Sequence, residues 1–82
     1  QDALGGFVEV ALALNLYHEA ETRVLKALHE EPFHPFTRYD FARVLIATNR
    51  KEEALNELQK VLTISPNFHP AKQLMEEVLG SK

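Results

Sequence analysis

Apolar residues recur along the chain at helical spacing, not at the alternating spacing of strands. Between Tyr17 and Glu31 the stripe Ala20, Val24, Ala27 and Leu28 falls at i, i+4, i+7 and i+8. From Pro35 to Thr48 the inward residues are Phe41, Ala42, Val44 and Leu45, and from Lys51 to Ile64 they are Ala54, Leu55, Leu58, Val61 and Leu62. A final segment, Pro70 to Leu79, sets Ala71, Leu74, Met75, Val78 and Leu79 on one face and Lys72, Gln73, Glu76 and Glu77 on the other. The first segment, Asp2 to Leu14, is different. From Ala3 to Leu16 its only strongly polar residues are Glu9 and Asn15, so it is apolar nearly all round. The pattern predicts five helices. Turns of a few residues force consecutive helices to run antiparallel.

The breaks between segments have physical causes. Asn15 and Asn49 fall where a helix ends and the chain must turn back, and Asn tolerates the left-handed conformation that terminates helices. Pro32 and Pro66 follow the second and fourth segments and cannot continue them. Pro35 and Pro70 stand near the first turn of the next helix, where a missing N–H costs little. Both are preceded by Phe-His, and the residue before a proline is pushed out of the helical region. These breaks are periodic. A shift of 34 residues superposes Phe7 on Phe41, Val10 on Val44, Ala13 on Ala47, Asn15 on Asn49 and Glu19-Ala20 on Glu53-Ala54. It also superposes Lys26 on Lys60, Leu28 on Leu62 and Pro32 on Pro66, which makes nine identical pairs. A fixed period in this range predicts a solenoid whose units bury their apolar faces against each other.

The pattern resembles the tetratricopeptide repeat (TPR) family. One unit gives Leu4, Phe7 and Ala11, then Asn15-Leu16-Tyr17-His18-Glu19-Ala20, Lys26-Ala27-Leu28 and Pro32. The next gives Phe41-Ala42 and Leu45, then Asn49-Arg50-Lys51-Glu52-Glu53-Ala54, Lys60-Val61-Leu62 and Ser65-Pro66. A third begins with Ala71, Met75 and Leu79. The departures are Val8 at a usually small position and Asn in place of glycine at both turns. The resemblance implies an all-α, right-handed TPR solenoid in a single domain. Repeats would span 1–34 and 35–68, with a capping helix at 69–82. It also implies a non-catalytic protein–protein interaction module or scaffold.

Composition narrows the function further. The net charge is −3 with both signs interspersed, which excludes the basic face that duplex nucleic acid requires. There is no cysteine, hence no disulfide, thiol nucleophile or zinc finger, and no apolar run is long enough to span a membrane. The expected setting is soluble, in the cytoplasm rather than the periplasm or outside the cell. Gln1 in place of Met points to an excised domain or a processed product. His18 and His29 lie eleven residues apart on one helix, about 16 Å along its axis, too far for one metal. His34 and His69 sit at equivalent turns without Cys or well-placed carboxylates. No phosphate loop, HExxH or nucleophile elbow is present, and Ser65 and Ser81 have no triad context. The expectation is no enzyme, no cofactor and no metal.

In TPR arrays the first helix of each repeat lines the concave face, where peptides bind. By that resemblance Glu9, Phe36, Tyr39, Arg43, Gln73 and Glu77 are the candidate groove. Positions 34 apart form rows across it: Glu9, Arg43, Glu77; Gly5, Tyr39, Gln73; and Asp2, Phe36, Pro70. Tyr39 and Arg43 share a helix face and form an aromatic–arginine pair typical of binding hot spots. The plainer reading of the first row is a solvated ladder in which Arg43 links Glu9 and Glu77. Some TPR domains clamp the C-terminal carboxylate of heat-shock chaperones with cations. The matching positions here, Gly5, Glu9, Asp40, Pro70 and Leu74, offer none, so that ligand is not expected. The apolar first segment leaves three readings: earlier repeats cover it, a second copy pairs with it, or an apolar ligand does. Phe7, Leu12 and Leu14 are the candidate self-association residues, giving a homodimer as the alternative function.

Overall fold

The computed structural model describes residues 3–80, so Asp2 and Ser81 lie outside the described residues. Five helices follow one another: α1 (Ala3–Ala13), α2 (Tyr17–Glu30), α3 (Pro35–Ala47), α4 (Lys51–Ile64) and α5 (His69–Gly80). Each described end falls within one residue of the position that periodicity and turn chemistry predict. There is no strand among the described residues. The fold is an α-helical repeat solenoid.

The two helix-ending asparagines adopt the predicted left-handed conformation, with φ of 62° at Asn15 and 65° at Asn49. Around Asn49 the Arg50 amide donates to the Leu45 carbonyl (2.8 Å) and the Asn49 amide to Ile46 (3.2 Å). Around Asn15 the Leu16 amide donates to Ala11 (2.7 Å) and the Asn15 amide to Leu12 (3.1 Å). Both are Schellman closures, which satisfy last-turn carbonyls that would otherwise lack partners. The other two turns also match. Glu31 and Ser65 donate to Ala27 and Val61, and His34 and Phe68 donate back to Glu31 and Ser65.

The core is two clusters joined through α3. Val8, Ala11, Ala20, Val24 and Val44 close the space between α1, α2 and α3. Ala42, Leu45, Ala54, Leu58, Val61, Phe68 and Ala71 fill that between α3, α4 and α5. Phe41 packs against both. Each fully buried Val or Leu here stabilises the fold by about 1.5–3 kcal/mol. The predicted stripes are the ones buried, with Ala27, Leu28, Leu55 and Leu62 at their half-buried edges. Leu79 departs from its predicted face and is 66% exposed. It lies about 80° round the helix from Ala71, past the edge of the buried stripe. Three polar residues are buried where the pattern gave no warning: Thr37, Asp40 and Glu57. Glu57 is held by Arg38 at 2.7 Å and Lys60 at 3.2 Å.

Candidate functional site

The candidate groove residues lie on α1, α3 and α5. Helix α3 packs on α1. On its other side Ile46 shares a shallow depression with Leu74, Glu77, Val78 and Lys51. Tyr39, half-buried on α3, turns its ring edge toward Phe68 (centroids 5.6 Å). Phe36, one turn earlier and 40% exposed, meets the same Phe68 ring edge-to-face at 4.7 Å. His34 stands 6.2 Å from Phe36 at the mouth of this aromatic group.

One turn beyond Tyr39, the Arg43 guanidinium lies 5.8 Å from the Tyr39 ring centroid, and its Nη1 is 3.3 Å from Asp40 Oδ1. Asp40 is buried, so the charge of Arg43 is matched within α3. The ladder expected across the groove, with Arg43 linking Glu9 and Glu77, is replaced by this intrahelical pair. The i,i+3 spacing brings the carboxylate to the guanidinium more directly than a neighbouring helix can. Glu9 and Glu77 remain exposed on the two flanking helices. They nevertheless act on the same point. Burial pushes the Tyr39 phenol above its ordinary value, Arg43 pulls it down, and Asp40, Glu77 and Glu9 push it up. The structure thus gathers Glu9, Tyr39, Arg43 and Glu77 in one neighbourhood and sets Phe36 at its aromatic end. Gln73 is exposed on α5, one turn before Glu77.

Phe68 and Asp40 organise this group, and the sequence reasoning did not place either in it. Phe68 carried a signal. The run Phe-His-Pro occurs at 33–35 and at 68–70, a spacing of 35 in a chain whose period is 34. The helix starts, Pro35 and His69, keep the period. The motif has therefore slipped by one position, placing Phe68 where the first turn has His34. Phe68 is consequently buried, whereas Phe33 is 74% exposed.

The candidate self-association residues separate. Leu14 is 63% exposed. Phe7 and Leu12 are half-buried against the first core cluster, and the Arg23 guanidinium covers the Phe7 ring at 4.4 Å. The open apolar face of α1 is instead Val10, Ala13 and Leu14, continued by Leu16, with open space over Gly6. The positions 34 residues on from Gly6, Val10, Ala13 and Leu14 are Asp40, Val44, Ala47 and Thr48, all buried or half-buried. The same face of the repeat is covered on α3 and open on α1 among the described residues.

Among the described residues no group of three or more His, Cys, Asp or Glu is placed to hold a metal ion. No helix there is long and apolar enough to cross a membrane. Neither curated proteins nor solved structures give a match to the chain. The family model described as tetratricopeptide repeat matches residues 11–78, which takes in both asparagine closures, both prolines that follow α2 and α4, and most of the five helices. Repeats of this kind generally mediate protein–protein interaction and are generally non-catalytic. With its 34-residue period, its helix pairs and that match, the chain belongs to the tetratricopeptide repeat family.

Proposed function

We propose that the chain is a protein-binding module of two repeats (1–34 and 35–68) and a terminal helix (69–82), holding a segment of a partner protein across α1, α3 and α5. Phe36 and Tyr39 are the apolar anchors, Arg43 orients the segment, and Glu9, Gln73 and Glu77 form the polar rim. What carries this reading is the arrangement on α3: a half-buried tyrosine between an exposed phenylalanine and an arginine, flanked by exposed carboxylates from both neighbouring helices. The longest dimension of the molecule is 30 Å, so an extended segment of about nine residues would cross it. A photo-reactive benzoylphenylalanine at Gln73 is expected to give a discrete cross-linked adduct in extract of the source cells. The same group at exposed Thr22 on α2 is expected to give none. Equal adducts from both positions would count against the groove.

A second reading rests on the open face of α1, where Val10 is 58% exposed and Leu14 is its neighbour one turn on. In that reading two copies pair through this face. Light scattering after size exclusion distinguishes the two. A concentration-independent dimer that Leu14→Glu converts to a monomer supports pairing, and a monomer at all concentrations removes it.

A further inference from the structure

A separate groove lies away from the α1–α3–α5 face, between the α2–α3 turn and α4. Its volume is about 570 Å³, and Phe33, Arg38, Asn56, Gln59, Lys60, Thr63 and Ile64 line it. We propose that this groove docks an acidic segment of a partner protein that carries an apolar side chain.

The floor of the groove is organised by Glu57. This buried carboxylate receives Arg38 Nη1 on Oε1 at 2.7 Å and Lys60 Nζ on Oε2 at 3.2 Å. Arg38 is fixed further by Nε donating to the Pro32 carbonyl at 2.7 Å. Two cations set against one buried anion leave the groove with a positive charge on a chain whose net charge is −3. Asn56, Gln59 and Thr63 add exposed hydrogen-bonding groups along the α4 side. Phe33 and Ile64, both exposed, supply the apolar end. An aromatic ring that is 74% exposed is the kind of surface a partner covers.

The other repeat shows what is particular here. A smaller groove of about 390 Å³, lined by Leu4, Arg23, Lys26, Ala27 and Glu30, occupies the equivalent place 34 residues earlier. Lys26 and Lys60 correspond, so the lysine belongs to the repeat itself. Leu4, Arg23 and Glu30 stand where the second repeat has Arg38, Glu57 and Ile64. In the first repeat Arg23 lies over Phe7, and a carboxylate occupies the place of Ile64. Phe33 has Asn67 as its counterpart, through the one-residue slip of the Phe-His-Pro run. The apolar end and the anchored arginine are thus features of one groove and not of the repeat.

The test is a selection of random dodecapeptides on the immobilised chain, followed by fluorescence anisotropy of the enriched peptides. Phe33→Ser and Lys60→Glu alter exposed side chains, and circular dichroism verifies that both variants fold. The proposal requires peptides rich in Asp or Glu with a Leu, Ile or aromatic residue, weakened about tenfold by each variant. It also requires that exposed Phe36→Ala, in the other groove, leave their affinity within about twofold. Basic peptides, peptides insensitive to Phe33→Ser and Lys60→Glu, or no enrichment would each overturn it. Peptides lost only in Phe36→Ala would support the α1–α3–α5 groove while rejecting this one.

Discussion

At Asn49 a single dihedral, φ of 65°, lets α3 close and α4 return. An L-residue with a Cβ and no local hydrogen-bonding group is strained there, so Asn49→Ala should lower stability by about 1 kcal/mol while Asn49→Gly does not. Urea unfolding midpoints of the two variants decide it. Arg43 is the second case. Removing its guanidinium from buried Asp40 should cost about 1–3 kcal/mol. Adding Asp40→Asn to Arg43→Ala should recover part of that loss, and a double mutant no better than the single would disprove the coupling. Arg43→Ala therefore mixes folding with binding, and exposed Phe36 is the cleaner probe of the groove. Tyr39 supplies a pH dependence. Its phenol is raised in the folded state, so its contribution is full below its unfolded pKa of about 10 and is lost as pH rises through the higher folded value. The extra loss of stability above pH 10 should disappear in Tyr39→Phe.

Among the elements, the two Phe-His-Pro turns make the sharpest contrast. Phe68→Ala should destabilise by about 3–4 kcal/mol, because it empties a site between α3, α4 and α5. Phe33→Ala should change stability by less than about 0.5 kcal/mol. Similar losses from both in thermal unfolding would contradict the slipped register. The comparison also shows what the sequence made legible. Helix positions, the asparagine closures and the buried stripes depend on spacing within a turn or two, so a single chain displays them. The fates of Phe33 and Phe68 depend on which of two competing periods, 34 or 35, the helix starts obey, and that is decided by packing. Asp40 beneath Arg43 and Glu57 beneath Arg38 were hidden for a related reason. A carboxylate is read as solvated unless the partner that compensates its burial is known, and for Glu57 that partner is on another helix. For the groove, the sequence supplied the residues and their row. It did not reveal that Arg43 turns inward to Asp40, leaving Glu9 and Glu77 exposed.

For the molecule as a whole, the decisive position is Phe41. It touches both core clusters, and α3 forms a wall of each. In a repeat array, stability is a sum of unit terms and nearest-neighbour terms, and the chain behaves as one unit only while the neighbour terms are large. Phe41→Ala should therefore reduce cooperativity as well as stability. Its urea transition should broaden, with a smaller m-value, and hydrogen exchange should show the α1–α2 half opening before the α4–α5 half. A parallel shift of the midpoint at unchanged m would mean that the halves are joined elsewhere.

Among the described residues, Asn15 and Asn49 are also the only points of positive φ. The backbone is locally of opposite hand at these two points. A chain assembled by chemical synthesis could carry D-alanine at both. There it would relieve strain and restrict the unfolded chain more than glycine does, whereas the same residue inside any of the five helices would break it.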